Sequence, residues 1–149
     1  MKTLTVHASE TYDILIGENI LASALARFAG SGRFCLVTDS NVEPLYGDLV
    51  RGLLKAHGSV SGFTFPAGEP SKTLGTFSLL LEHLASAGLT RSDTVVALGG
   101  GVTGDLAGFA ASCYLRGVRV LQIPTTLLAM IDSSVGGKTG VDLKAGKNL

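Results

Sequence analysis

The feature that most constrains this fold is an apolar strand that runs directly into three glycines and then into an apolar helix. Residues 94–98 read Thr-Val-Val-Ala-Leu, and Gly99-Gly100-Gly101 and a helical pattern from about Val102 follow them. A glycine backbone can approach a ligand closely and can adopt a positive φ, and the first amides of a helix favour an anion. The segment is therefore a candidate phosphate-binding loop, or else a tight turn whose glycines serve packing alone.

The glycine spacing also matches part of the dinucleotide-binding pattern. Gly99, Gly101 and Gly104 satisfy G-x-G-x-x-G between a predicted strand and a predicted helix. The carboxylate that usually follows about 20 residues later is missing, because the chain reads Ile-Pro-Thr-Thr over 123–126. We therefore expect a dinucleotide that is bound in a different geometry.

Alternating strand and helix patterns predict the architecture. Strand-like apolar runs occupy 34–38, 60–65, 94–98 and 119–123. Helical periodicity covers 20–28, a stripe of Leu45, Leu49 and Leu53, and then 74–84, 102–115 and 126–134. Fully apolar strands that alternate with helices are typical of a parallel sheet covered on both faces. The prediction is a Rossmann-like α/β domain.

The two ends of the chain add further expectations. Residues 4–6 and 12–16 predict a short hairpin at the edge of the sheet. The helices at 102–115 and 126–134 are apolar on nearly every face, a pattern that requires burial on all sides, so we expect the surface that covers them to be absent from 1–149. The sequence then becomes rich in glycine and lysine and stops without a closing element. We expect 1–149 to be one α/β domain, the N-terminal part of a two-domain protein.

Charge and composition exclude several classes of partner. The 12 Lys and Arg residues balance the 12 Asp and Glu residues, and they are scattered, so no electrostatic footprint for nucleic acid is present. No apolar run approaches the ~20 residues that a membrane helix needs, and no signal-peptide core is found at the N-terminus. We expect a cytoplasmic protein with a small-molecule ligand and with Cys35 and Cys113 as reduced thiols.

Two common site patterns do not hold. His7, His57 and His83 are isolated from one another, so no metal cluster is predicted. Lys138 in Gly-Gly-Lys-Thr is similar to the end of a P-loop, but Asp132 occupies the position of the first P-loop glycine, and a helix precedes it. The triphosphatase interpretation is therefore rejected.

Polar residues follow the strand at 34–38, where an open α/β sheet binds its ligands. They are Asp39, Ser40 and Asn41. A carboxylate at Asp39 can accept both hydroxyls of a ribose, whereas Asp39 or Ser40 can equally well cap a helix. The residue types leave both interpretations open.

Similar alternatives apply after the neighbouring strands. Glu69 and Lys72 offer a carboxylate and an ammonium three residues apart, in a segment that also reads as a turn before a capped helix. Thr125 and Thr126 can bond a ligand or cap the next helix. Lys147 lies in glycine-rich sequence, where a lysine is usually solvated.

Six motifs occur in a recognisable order along essentially the whole chain. They are PAGEPSK (66–72), LGGGVTGD (98–105), YLRGV (114–118), PTTLLA (124–129), DSSVGGKT (132–139) and GKN (146–148). This order resembles the N-terminal domain of the 3-dehydroquinate synthases. Other sugar-phosphate cyclases and metal-dependent alcohol dehydrogenases share the glycine loop and the fold, and remain alternatives. A stand-alone nucleotide-binding module is the alternative that is not an enzyme.

The resemblance implies an activity and its cofactors. The family converts 3-deoxy-D-arabino-heptulosonate 7-phosphate to 3-dehydroquinate and phosphate, in the shikimate pathway of aromatic amino acid (chorismate) biosynthesis. NAD is used catalytically, and a divalent metal, zinc or cobalt, polarises the reacting oxygen. The metal ligands belong to a helical C-terminal domain without counterpart here. The resemblance further implies a homodimer in the full enzyme and no activity for this chain alone.

The resemblance also implies roles for individual residues. The pyrophosphate and the adjacent ribose would be held by Gly100, Gly101, Val102 and Asp105. The adenosine half would be bound by Asp39, Asn41, Glu69 and Lys72. The rest of the cofactor cleft would be lined by Thr125, Thr126, Lys138 and Lys147.

Four residues are implied to act on the sugar phosphate. Asp132 would bond substrate hydroxyls, and Lys138 and Asn148 would contact the phosphate or carboxylate ends. Arg116, at the end of an apolar helix, resembles the arginine that reaches the phosphate of a neighbouring subunit's substrate. No metal ligand is assigned within 1–149.

Overall fold

Four parallel strands form the main sheet, as the sequence predicts. The computed structural model describes residues 1–149. Its strands are β1 (Lys2–His7), β2 (Thr11–Ile16), β3 (Gly32–Asp39), β4 (Gly58–Phe65), β5 (Thr94–Gly99) and β6 (Arg119–Pro124). Its helices are α1 (Leu21–Phe28), α2 (Asp48–Lys55), α3 (Leu74–Ser86) and α4 (Gly101–Cys113). The sheet has the order β4-β3-β5-β6 with every pairing parallel.

Shorter helical turns connect these elements. Two are π-helical, Glu43–Gly47 and Ala129–Ser133, and two are 3-10 turns, Glu69–Ser71 and Tyr114–Arg116. The helix predicted to run to residue 115 ends at Cys113, because Leu115 adopts a left-handed φ of 50°.

Helices cover both faces of the sheet and create two separate apolar cores. On one face, α3 and α4 pack through Leu80, Leu84, Leu106 and Ala110 on Cys35, Val37, Val95 and Ala97. On the other face, α1 and α2 pack through Leu25, Val50 and Leu54 on Phe34, Leu36, Val96 and Leu98. Successive strand residues point to opposite faces, so β3 and β5 must be apolar at every position between the two cores. This confirms the Rossmann-like α/β prediction.

The predicted stripe of α2 is wrong. Leu45 and Leu49 are 68% and 55% exposed, whereas Val50 and Leu54 are buried. The chain enters α2 through the π-helical turn at 43–47, whose wider winding shifts the phase of the residues that follow. The buried pair still has the i, i+4 spacing of one helical face.

The hairpin is present, but its predicted position is wrong. Strands β1 and β2 pair antiparallel with each other, from Lys2 opposite Ile16 to His7 opposite Thr11. They form a separate two-stranded sheet rather than an edge of the main one. A period-two pattern specifies a strand, but it carries no information about a third strand beside it.

The two apolar helices differ in how they are buried. Seven residues of α4 are buried against the rest of this chain, so the expectation that α4 lacks its partner surface is wrong. In the next helical segment, Leu127, Leu128, Met130 and Ile131 are exposed.

A buried carboxylate fastens the loop before β5 to β3. Asp93 is 5% exposed and accepts hydrogen bonds from Arg33 N (2.8 Å), Thr90 N (2.6 Å) and Thr90 Oγ1 (2.9 Å). Burial alone would raise the pKa of Asp93, but these hydrogen bonds and the Arg33 charge outweigh it and lower the pKa. The ionised form is therefore the one that stabilises the fold.

We expect Asp93→Asn to lower the free energy of unfolding by about 2–3 kcal/mol at neutral pH. The reason is that the donors of Arg33 and Thr90 lose the charged acceptor of their hydrogen bonds. Since the pKa of Asp93 is lower in the folded chain than its usual 3.8, this contribution is present above that value and is lost as the pH falls through the folded pKa. Urea denaturation at neutral pH and at about pH 3 measures the difference. Glu82→Gln, at an exposed site, is the control, and a deficit for Asp93→Asn that does not shrink in acid would contradict this reasoning.

Candidate functional site

The carboxyl ends of the parallel strands meet at one edge of the sheet, and the loops predicted to bind a ligand lie there. The loop after β6 is fastened to β5, because Thr125 N donates to Gly99 O at 2.9 Å. The loops after β3 and β4 are joined in the same way by Ala67 N, which donates to Ser40 Oγ at 3.0 Å. Neighbouring loops thus form a continuous rim.

A cavity of about 280 Å³ opens within this rim. Its lining residues are Asp39, Asn41, Val42, Ala67, Gly68, Gly100, Gly101, Val102, Thr103, Thr125 and Thr126. Four separate loops contribute to it, those after β3, β4, β5 and β6. The structure therefore brings together the predicted residues at 39, 41, 100–102 and 125–126.

Helix α4 begins at this cavity with open amide groups. Gly100 precedes the helix in an extended conformation, and no side chain caps it. The first backbone bond is that from Gly104 N to Gly100 O, at 3.0 Å. The amides of Gly101, Val102 and Thr103 are thus among those that every helix leaves without an intrahelical partner. Together with the positive end of the helix dipole, they favour a negatively charged ligand.

The glycines of the loop are needed for close packing, and none of them adopts an unusual backbone conformation. No residue from 99 to 104 has a positive φ, so a left-handed conformation, one of the two reasons suggested for glycine here, is wrong. A Cβ at Gly99 would collide with the side chain of Thr103, and one at Gly104 would lie 2.9 Å from Gln122 Oε1. These two glycines let α4 pack onto β5 and β6.

Asp39 makes hydrogen bonds within the chain and also lines the cavity. Its Oδ1 accepts hydrogen bonds from Asn41 N (2.9 Å) and Val42 N (3.1 Å), which is the capping arrangement. Its Oδ2 accepts from Thr103 Oγ1 at 3.3 Å, at the start of α4. The carboxylate is therefore held in place by the chain and still lines the cavity.

Thr126 also combines a structural contact with a position in the cavity wall. Its Oγ1 accepts a hydrogen bond from Ala129 N at 3.1 Å and caps the following helical turn. Its Cγ2 would lie 3.4 Å from a Cβ at Gly100, which is van der Waals contact. Residue 100 therefore has room for an alanine side chain, but for little more on this side.

A second group of predicted residues surrounds the ammonium of Lys72. The side chain is 4% exposed, and Nζ lies 3.0 Å from Asp105 Oδ2, 3.6 Å from Glu69 Oε1 and 3.9 Å from Asp142 Oδ1. Burial alone would lower the pKa of Lys72, but the hydrogen bond to Asp105 and the three carboxylate charges raise it. Lys147 Nζ lies at the rim of this group, 3.6 Å from Glu69 Oε1.

Sequence reasoning found four members of this group but missed Asp142. Burial opposes the shift, yet the Asn148 amide, Glu69 and the charges of Lys72 and Lys147 lower the pKa of Asp142. A broad groove of about 600 Å³ lies beside the group and is lined by Glu69, Pro70, Lys72, Thr73, Leu74, Gly75, Asp142, Leu143 and Lys144. No motif in the sequence marks Asp142, because its partners are distant along the chain.

The four residues predicted to act on substrate lie outside the cavity lining. Asp132 and Lys138 form an exposed ion pair. The Asn148 amide donates to Asp142 Oδ1 at 2.9 Å, and Arg116 is exposed in the turn after α4, with a φ of 66°. The structure thus gathers much of the predicted cofactor group around one cavity. Of the predicted substrate residues it brings together only Asp132 and Lys138.

Outside these groups, the chain contains few further chemical candidates. No cluster of three or more His, Cys, Asp or Glu side chains is arranged to hold a metal ion. Burial raises the pKa of the Cys35 thiol to about 11, although a hydrogen bond with Ser61 acts in the opposite direction. No helix combines the length and the hydropathy that crossing a membrane requires.

Comparison with known proteins decides the family. Residues 62–149 match the family model described as 3-dehydroquinate synthase N-terminal. This chain belongs to the 3-dehydroquinate synthase family. It is 48% identical to the 3-dehydroquinate synthase of Alkaliphilus metalliredigens over 150 residues, which cover 100% of this chain and 42% of the relative. The enzyme of Symbiobacterium thermophilum is 52% identical over 145 residues, 94% of this chain and 40% of that protein. The chain spans about two-fifths of the length of the curated relatives it matches.

Solved structures show the same architecture. A crystal structure of 2-deoxy-scyllo-inosose synthase complexed with carbaglucose-6-phosphate, NAD+ and Co2+ has a TM-score of 0.93 at 32% identity, and the match covers 99% of this chain and 41% of that one. The 2-epi-5-epi-valiolone synthase of Streptomyces hygroscopicus, with NAD+ and Zn2+ bound, has a TM-score of 0.84 at 33% identity, over 97% and 41% of the two chains. An iron-containing alcohol dehydrogenase from Thermococcus thioreducens, at 19% identity and a TM-score of 0.56 over 66% of this chain and 25% of that one, shares the fold alone.

Proposed function

We propose that this chain is the NAD-binding part of a 3-dehydroquinate synthase, which converts 3-deoxy-D-arabino-heptulosonate 7-phosphate to 3-dehydroquinate and phosphate. The observation that carries the proposal is the cavity in which the open amides of α4 face the side chains of Asp39 and Thr126. Support comes from the relatives about half identical in sequence that carry this activity in their names, and from the cyclases that were solved with NAD+.

The residues at the cavity fit a dinucleotide in charge and in shape. The amides of Gly101, Val102 and Thr103 would bind the pyrophosphate, since they are the open N–H groups at the uncapped start of α4. Asp39 would accept ribose hydroxyls, and Asn41 beside it can both donate and accept. When bound, NAD supplies hydride transfer. The chain's contribution is to hold the pyrophosphate and the riboses still beside the sheet edge.

The remaining assignments concern the substrate side and are part of the same proposal. Lys138 and Asn148 would bind the phosphate or carboxylate ends of the sugar, and Asp132, which pairs with Lys138 here, would bond its hydroxyls. Arg116, exposed after α4, would reach the phosphate in a second copy of the chain, in a cytoplasmic homodimer. A zinc or cobalt ion belongs to the proposed enzyme, but residues 1–149 provide no ligand set for it.

The test is a titration of this chain with NAD, in which binding is measured by calorimetry and by amide NMR. We expect the amide signals of 100–103 to shift, together with those of Asp39 and Thr126, and we expect inorganic pyrophosphate to compete with NAD. Competition of this kind identifies the anion site at α4 as the anchor of the cofactor. NAD is added to about 1 mM, which detects a dissociation constant of about 1 mM, or a binding free energy near −4 kcal/mol. If none of these amide signals shifts at that concentration, the proposed function is wrong.

The activity is tested in a fusion protein in which residues 1–149 replace the matched part of the Alkaliphilus relative, 42% of its length. We expect the fusion to release phosphate from the sugar phosphate and to form 3-dehydroquinate. A fusion that folds and binds NAD but forms a different carbocycle would favour another cyclase of the superfamily.

A further inference from the structure

Lys72 stands at the junction of three parts of the chain. It is the only buried lysine, and its three carboxylate partners come from different elements. Glu69 belongs to the 3-10 turn after β4, Asp105 to α4, and Asp142 to the terminal segment, by which we mean residues 140–148. The ammonium therefore links the loop after β4, the helix of the glycine loop and the end of the chain.

Backbone hydrogen bonds hold the terminal segment at the same place. Asp142 N donates to Lys72 O at 2.8 Å, and Gly140 N donates to Asp105 O at 3.3 Å. Asn148 N then donates to Asp142 Oδ1 at 2.9 Å, which closes the segment on itself. Main-chain and side-chain contacts of the same two residues, Lys72 and Asp105, thus fix where this segment lies.

The position of the terminal segment depends on the charge of the Lys72 ammonium. Three carboxylates lie within 4 Å of Nζ, and without it they would repel one another in a partly buried setting. Lys147 also acts on Asp142 through its charge, but its side chain is 72% exposed and its Nζ lies within 4 Å of Glu69 alone. Lys72 is therefore the only cation in direct contact with Asp105 and Asp142.

We propose that Lys72 is a positioning residue that acts through Asp105 and Asp142. It orients Asp105 on α4, one turn beyond the open amides, and fixes the terminal segment with Lys147 and Asn148 against that helix. This role rests on the proposed function for its use in binding, but its structural basis is independent of any ligand. The Lys72 side chain is 4% exposed, and its ammonium lies among the three carboxylates.

The test compares Lys72→Met, which keeps the length of the side chain and removes the charge, with Lys72→Arg. Hydrogen exchange of the ligand-free chain is measured by mass spectrometry. We expect amides of the terminal segment to exchange at least about tenfold faster in Lys72→Met, while amides of β3 and β5 keep their protection, and we expect Lys72→Arg to stay close to the parent. Lys144→Met, at an exposed lysine of the same segment, is the matched control.

A charge-balanced double variant makes the test specific. Lys72→Met/Asp142→Asn removes one carboxylate together with the ammonium and keeps an oxygen that accepts from Asn148 N. We expect it to regain part of the lost protection, and it also provides a folded comparison if Lys72→Met alone unfolds. The affinities for NAD measured by calorimetry should rank the variants in the same order as the protection of the terminal segment from exchange. The reason is that Lys147 and Asn148 move with this segment.

The outcomes separate this proposal from the proposed function. Unchanged exchange of the terminal segment in Lys72→Met overturns the positioning role, and if NAD binding is lost at the same time, Lys72 contacts the cofactor directly. A double variant no better protected than Lys72→Met also overturns it, because charge balance would then be irrelevant. If the parent chain binds no NAD, the proposed function fails, whereas the comparison of exchange rates is unaffected.

Discussion

Gly101→Val is expected to weaken the binding of NAD to this chain by at least about 100-fold. A Cβ at Gly101 would lie 3.4 Å from Ser133 Oγ, so a single methyl is accommodated. The two γ-methyl groups of valine need more room, and they would crowd the space that an anion must enter to reach the amides of Val102 and Thr103. Losing two charge-assisted hydrogen bonds costs on the order of 3–6 kcal/mol.

Calorimetry with NAD checks this expectation, and two variants calibrate it. Gly101→Ala should bind nearly as well as the parent, because its methyl makes ordinary contacts. Gly52→Val introduces the same side chain on a helix where a Cβ meets nothing within 4 Å, and it should leave the affinity unchanged. An intact fold with parental NAD affinity in Gly101→Val would remove the glycine loop from the cofactor site.

Lys138→Ala is expected to reduce kcat/KM for the sugar phosphate by about 10- to 150-fold in the fusion with the Alkaliphilus relative. The lost interaction is a charge-assisted hydrogen bond to an anion, which contributes about 1.5–3 kcal/mol. The affinity for NAD should be retained, since Lys138 is exposed and lies outside the lining of the cavity. Phosphate release at low substrate concentration is the measurement.

Lys55→Ala, at an exposed lysine at the end of α2, is the control for the general loss of a positive charge. Turnover close to the parental value in Lys138→Ala would identify Lys138 as a surface lysine whose partner is Asp132 alone.

The parts of the fold that the sequence predicts are those in which each local pattern has one solution. Residues 34–37 and 95–98 are apolar at every position, and only a strand covered on both faces satisfies that pattern. The phase of α2 could not be predicted, because the π-helical turn at 43–47 is specified by packing rather than by periodicity. The place of the hairpin could not be predicted either, since β1 and β2 satisfy their hydrogen bonds with each other.

The candidate site divides in the same way. The residues at 39–41, 99–101 and 125–126 could be grouped in advance, because the carboxyl ends of parallel strands share one edge of the sheet. The link between Lys72 and Asp142 could not, since it joins positions far apart in sequence through charge rather than through a repeating pattern. The predicted residues Asp132 and Lys138 pair with each other, a contact that the motif at 132–139 does not indicate.

The close packing of α4 has a consequence for the thermodynamics of binding. A side chain at Gly99 or Gly104 would collide with Thr103 or Gln122, and the loop after β6 is tied to Gly99 O. The helix start, β5 and the neighbouring loop therefore move as one body. An anion that arrives there meets donors already in place, so little of its binding free energy is consumed in ordering the chain. Affinity at this position is then governed by the dissociation rate of the anion, and not by a slow rearrangement before it enters.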